Sequence, residues 1–165
     1  MALIVEDGSG IANANTYADL DFIRAYATAR GVSLSDDDAV LEPVVMNVMD
    51  FIESRSFNGT RIYIDGLSFP RAGIAIDGVS IPANVIPSQL MRAEAQLVID
   101  VAITGVELLP SGNSEPIVKR EKVGPLETEF FAPDAIGAAD TPLASALLAP
   151  FIRGQGAFTF KTVRV

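Results

Sequence analysis

The stretch from Ser88 to Thr104 constrains this chain more than any other. Placed at about 100° per residue, Ser88, Gln89, Arg92, Gln96 and Asp100 share one side of a helix, which Gly105 ends. Leu90, Met91, Ala93, Ala95, Leu97, Val98, Val101 and Ala102 cover most of the rest. That arc is wider than one core-facing stripe needs. Two environments satisfy it. The helix is central in its own bundle, or one side packs on the core and the other on a neighbouring subunit. In the second case Met91, Ala95, Val98 and Ala102 form part of an interface between copies.

The flanking segments fit a fold around such a helix. Ala2 to Val5 reads as a short strand, and Asp7-Gly8-Ser9-Gly10 as a loop. Thr16-x-x-Asp19 resembles a capping box for a first helix running to about Ala29, with Gly31 after it. Ser35-x-x-Asp38 opens a second helix, in which Leu41, Val44, Val45, Val48, Met49 and Ile52 recur at helical spacing. Pro43 inside that pattern favours a start nearer Glu42. Residues 57–87 are rich in Gly and Pro, and residues 74–81 alternate around Asp77-Gly78, a hairpin signal. Ser88 is expected to cap the third helix. After a linker, residues 117–123 and 126–131 form two extended runs around Gly124-Pro125. Thr141-Pro142 opens a short fourth helix with Leu143, Leu147, Leu148 and Phe151 on one side. Residues 157–165 alternate as a strand does.

The expected fold is therefore mainly α. It is a small bundle of about four helices with a β-ribbon arm and an extended C-terminal segment. Residues 1–110 would be the helical core with its N-terminal strand and central hairpin. Residues 111–165 would carry the ribbon, the short helix and the C-terminal arm of the same domain.

Composition narrows the chemistry. The chain has 165 residues, about half of them apolar, with no Cys, His or Trp. Disulfides, thiol nucleophiles, histidine-based triads and the usual zinc sites are excluded. No metal, cofactor or enzymatic activity is expected. The first residues lack the basic start and long apolar run of a signal peptide, and no stretch approaches a membrane span, which fits synthesis inside a cell. Residues 1–111 hold 15 acidic and 6 basic side chains, whereas residues 112–165 hold 6 of each. An acidic body repels nucleic-acid phosphates, which are held by Lys and Arg.

Local motifs add little catalytic promise. Gly8-Ser9-Gly10 lacks the third glycine of a dinucleotide loop. Asp36-Asp37-Asp38 lacks the pattern of a calcium loop and suits the first turn of a helix. Lys119, Arg120 and Lys122 form the one basic cluster, but Glu121, Glu127 and Glu129 interleave with it and no aromatic flanks it for stacking. It reads as a solvated or partner-facing hairpin. Glu94 projects into the apolar face of the third helix and needs a cation or donors. Arg55, Arg61 and Arg71 are its expected partners, with a structural Glu94–Arg71 ion pair the preferred reading.

The ordered set of short motifs resembles one family. It comprises Met1-Ala2-Leu3-Ile4-Val5-Glu6-Asp7-Gly8, Asn15-Thr16-Tyr17, Phe57-Asn58-Gly59-Thr60-Arg61 and Phe69-Pro70-Arg71-Ala72-Gly73. It continues with Ile81-Pro82, Ile86-Pro87-x-x-Leu90-x-x-Ala93 and Val118-Lys119-x-Glu121-Lys122-Val123-Gly124-Pro125-Leu126. These look like the phage proteins labelled DnaT-like single-stranded-DNA-binding proteins, which are similar to the head–tail adaptors of long-tailed bacteriophages. Members commonly carry Trp where Phe69 stands, and Glu near Gln96, whereas the acid here is Glu94.

The resemblance implies a structural virion protein of the neck, assembled in the host cytoplasm. It implies a homo-oligomeric, dodecameric ring under the portal protein that lengthens the DNA channel and recruits a downstream neck or tail-completion protein. DNA would pass without sequence-specific binding. Lys119, Arg120 and Lys122 would join Met91, Ala95, Val98 and Ala102 at the ring interface. Phe158, Phe160, Lys161 and Arg164 would contact the portal or a neck protein, unless that segment pairs within its own subunit. The alternative is a DnaT-like module that binds single-stranded DNA.

Overall fold

The computed structural model describes residues 2–109 and 141–153, together with the backbone of 120–123 and 126–129. Among the described residues there are four helices, α1 (Leu20–Thr28), α2 (Asp38–Glu53), α3 (Ser88–Thr104) and α4 (Pro142–Leu148). Three antiparallel two-stranded ladders accompany them: β1 (Thr60–Arg61) with β2 (Arg71–Ala72), β3 (Ala75–Ile76) with β4 (Val79–Ser80), and β5 (Arg120–Val123) with β6 (Leu126–Glu129). The fold is thus a mixed one of helices and small antiparallel sheets, not a plain helical bundle.

Helix α3 is the axis of the core. Every residue from Ala93 to Ile99 is buried, which covers all sides of the helix. The reason is that α1, α2 and α4 all pack on it. Ala93 and Ala95 keep its girth small, so that three helices fit around it. The wide apolar arc is therefore filled largely within the chain. Helix α4 contributes Ala144 and Leu148 to this core, and Phe151 follows just behind it.

Several starts differ from those the sequence suggests. Helix α1 is capped by Asp19, whose carboxylate accepts from Phe22 N, because the Thr16 hydroxyl is engaged elsewhere. Helix α2 begins at Asp38 and runs through Pro43, with Asp37 as its cap. Pro43 is exposed, so the lost backbone bond falls where water reaches. Pro87, not Ser88, precedes α3, and no side chain caps that helix.

The loop-rich middle is held by aromatic packing. Phe69 meets Tyr17, Phe57 and Phe151 edge-to-face, at centroid separations of 6.2, 5.2 and 5.5 Å. Asn58 N donates to the Phe151 carbonyl and Arg153 N to that of Ser56, each at 2.7 Å, so the chain after α4 is strapped to the end of α2. The β3–β4 hairpin turns at Asp77 and Gly78, both at positive φ, as the Asp-Gly pair suggests.

Candidate functional site

The main group of polar side chains inside the fold is a buried network around Glu94. The Glu94 carboxyl is fully buried on α3. Its Oε1 lies 2.5 Å from Thr16 Oγ1, and its Oε2 accepts from Tyr17 N at 3.1 Å. Thr16 Oγ1 also lies 2.7 Å from the Ala18 carbonyl oxygen. A hydroxyl has one proton. Both contacts are satisfied when Glu94 is protonated and donates to Thr16, which then donates to Ala18. Burial raises the Glu94 pKa to about 8, against the opposing pull of Thr16 and the Tyr17 and Ala18 amides. Burial thus favours the protonated, neutral acid.

Tyr17 continues the network. Its hydroxyl donates to Glu53 Oε1 at 2.5 Å and accepts from Phe69 N at 3.1 Å. Glu53 Oε2 accepts from Ser68 N at 2.9 Å. Burial first, and then the Glu53 charge, push the Tyr17 phenol well above its usual range. A second carboxylate, Glu6, is also buried. It accepts from the amides of Gly8, Gly10 and Ile11 at 2.8–2.9 Å and so folds the N-terminal loop around itself. Gly8 has a φ of +101°, and a Cβ there would collide with the Asn84 carbonyl.

The expected Glu94–Arg71 ion pair does not form. Arg71 instead donates to the carbonyls of Phe57, Asn58, Ser68 and Gly59, closing the loop before β1 over the loop before β2. Arg55 stacks on Phe51, and Arg61 donates to the Gly66 carbonyl. The acid needed partners, and they are the Thr16 hydroxyl, which takes its proton, and the Tyr17 amide, which donates to it, not a guanidinium.

The remaining predicted residues are dispersed. Ala95 and Val98 are fully buried in the core of their own chain. Met91 is half-buried against that core, and Ala102 is exposed. Arg120 and Lys122 fall on β5, in register with Glu129 and Glu127 of β6. Lys119, Phe158, Phe160, Lys161 and Arg164 lie outside the described residues.

Sequence reasoning found Glu94 but missed Thr16, Tyr17 and Glu53 as its companions, and it missed Glu6 as a separate buried acid. One local signal was readable: a glutamate two and four residues before the glycines of Gly8-Ser9-Gly10. Among the described residues, no group of acids stands where it could hold a metal. No described buried side-chain polar atom lacks a hydrogen-bond partner. The network thus joins loop to helix with its hydrogen-bonding capacity used internally.

Fold and site define a small protein built around one enwrapped helix, with its buried polar groups spent on fixing loops. The chain belongs to the family described as "Putative DnaT-like ssDNA binding protein", whose model matches residues 1–165. No curated protein and no solved structure matches it.

Proposed function

We propose that this chain is a structural virion protein without catalytic activity, a head–tail adaptor that assembles as a ring beneath the portal and recruits neck or tail components. The observation that carries this reading is the charge of the body together with its chemistry. Residues 2–109 and 141–153 hold 15 acidic against 7 basic side chains, and the buried polar groups described above are consumed in structural bonds. A ring wall rich in carboxylates repels packaged DNA and lets it slide. The order of motifs along the chain supports the same reading.

A second reading, single-stranded-DNA binding, is favoured by the description of the family. Such binding needs a basic groove with aromatic platforms. Tyr63 is an exposed aromatic, but the acid surplus opposes a general phosphate-binding surface.

One pair of measurements separates the two. The mass of the purified protein is determined with and without portal protein, and a labelled oligonucleotide is titrated at low and physiological salt. The adaptor reading expects a ring or a portal complex, and no oligonucleotide binding at physiological salt. Sub-micromolar binding that weakens steeply with salt, and is lost in Lys119→Ala/Arg120→Ala/Lys122→Ala, would replace it with the second reading.

A further inference from the structure

One corner of the fold gathers cations. Arg61 and Arg71 stand directly opposite each other across the β1–β2 ladder, an arrangement of like charges that is unfavourable by itself. The segment after α4 bonds to Ser56 and Asn58, and this brings Arg153 close enough for its charge to act on Arg71. Three of the seven basic side chains in residues 2–109 and 141–153 therefore meet here, and the other four do not converge. Arg24 is paired with Asp38, Arg30 and Arg55 lie on the rings of Tyr26 and Phe51, and Arg92 is exposed on α3. Burial first, and then the charges of Arg61 and Arg153, lower the pKa of the Arg71 guanidinium, although Tyr17 and Glu53 pull the other way. Arg71 is occupied by backbone carbonyls. Arg61 and Arg153 are exposed, and neither forms an ion pair among the described residues.

Beside this corner the loop after β1 is held in a fixed shape. Arg61 donates to the Gly66 carbonyl and closes the loop across Ile62, Tyr63, Ile64 and Asp65. The N-terminal loop supports it. A Cβ at Gly10 would collide with the Tyr63 ring, and one at Gly66 would lie 3.6 Å from the Ile11 carbonyl oxygen. That support is itself anchored, because the buried Glu6 carboxylate accepts from the amides of Gly8, Gly10 and Ile11. A buried acid is thus committed to shaping the base of a loop whose Ile64 is 88% exposed. Such an aliphatic side chain adds almost nothing to its own core. The one acid of the loop is Asp65.

We propose that the arginine corner and the loop of residues 61–66 together form a docking surface for a peptide segment of a partner protein that carries both carboxylates and apolar side chains. This rests on the adaptor reading and names the chemistry of the component that it recruits. Arg61 and Arg153 meet the carboxylates and set the register, while Ile62, Tyr63 and Ile64 bury against the apolar side chains between them. Apolar residues rimmed by charge are the composition of a protein interface, and Tyr and Arg are its usual anchors. A loop already fixed by Glu6 and Gly10 loses little freedom on binding. Nucleic acid matches this surface less well. The acid surplus of the body repels a polyanion, and exposed isoleucines offer a base no stacking platform.

The test is a titration of the full-length chain with a short fluorescein-labelled peptide of repeating Asp-Leu-Glu-Leu units, read by anisotropy at low salt. Control peptides carry Lys in place of the acids or Ser in place of Leu, and a labelled oligo(dT) is titrated in parallel. The variants are Ile64→Asp, Arg153→Glu and Arg61→Glu/Arg153→Glu, and circular dichroism confirms that each is folded. The acidic apolar peptide should bind wild type, and each of the first two variants should weaken it roughly tenfold or more. The double variant should prefer the lysine peptide instead, which a merely misfolded loop would not do. Absence of binding to wild type, equal binding of the lysine peptide, or binding unchanged in the variants overturns the docking surface. Oligo(dT) that binds wild type and is lost in Arg61→Glu/Arg153→Glu makes the corner a phosphate contact and overturns it as well. The adaptor reading is judged separately by the mass with portal protein. A wild type that joins portal but ignores the peptide therefore overturns this surface alone, and one that binds the peptide but never assembles overturns the adaptor reading alone.

Discussion

Glu94 shows how a single carboxyl can tie distant segments together, since Thr16 and Tyr17 lie 78 and 77 residues away in sequence. Its protonation has a measurable consequence. In the unfolded chain such a group ionises near 4.5, whereas in the folded protein it holds its proton to about 8. Between those values the folded state binds the extra proton. Its contribution to stability is therefore complete below about 4.5 and declines as pH rises. By linkage, the decline approaches about 1.4 kcal/mol per pH unit within the window and ends above about 8. Glu94→Gln keeps the shape, offers N–H groups to Thr16 and cannot ionise. Urea midpoints of the two proteins, measured from pH 4 to 9, should diverge in favour of the glutamine variant as pH rises. Parallel curves would show that Glu94 is already ionised in the fold. Arg71 makes the complementary case. Arg71→Ala leaves four carbonyls short of a donor and should cost about 1–3 kcal/mol, and Arg71→Lys should recover only part, because one ammonium cannot reproduce the fork. The sequence marked Glu94 as a buried acid in need of partners. It could not name them, because an amide donor has no residue type and a threonine 78 residues away leaves no pattern.

At the scale of elements, periodicity carried more than capping did. The helix from Ser88 to Thr104 and its Gly105 stop stand as read, as does the Asp77-Gly78 turn, since both depend on neighbours in sequence. The helix starts slipped where tertiary bonds competed: Thr16 serves Glu94, and Asp19 takes over the cap of α1. The choice between a helix central in its own bundle and one shared with a neighbour was also beyond the sequence, since both demand a broad apolar arc. Packing of α4 onto α3 decides it for Ala95 and Val98. A pair of substitutions checks the assignment. Ala95→Leu should overpack the space between helices and cost about 1–3 kcal/mol in chemical denaturation. Ala102→Leu, at an exposed position, should change stability by less than about 0.5 kcal/mol. Equal effects at both positions would mean that α3 is rotated from the orientation described.

For the whole molecule, net charge was plain in the sequence but its polarity was not. The acids of the first turn of α2 were readable from Asp36-Asp37-Asp38. The approach of Arg153 to Arg71 was not, because it needs Arg153 to return beside Ser56 after a separation that only folding closes. The same return bears on the C-terminal part of the chain. Ala144, Leu148 and Phe151 are core residues, and the strap to Ser56 and Asn58 ends at Arg153. Deleting residues 157–165 therefore spares every described core contact, whereas deleting from residue 141 removes three buried side chains, each substantial against a domain's marginal stability. The shorter truncation should stay soluble with a cooperative thermal transition near that of the full chain, and the longer should not fold. If Phe158, Phe160, Lys161 and Arg164 are the anchors to the portal or neck, the folded truncation should also fail to attach to portal-bearing heads, and filled heads without tails should accumulate. A shorter truncation that unfolds would place the segment in the core. One that folds while heads still gain tails would move the docking role to the ribbon of β5 and β6.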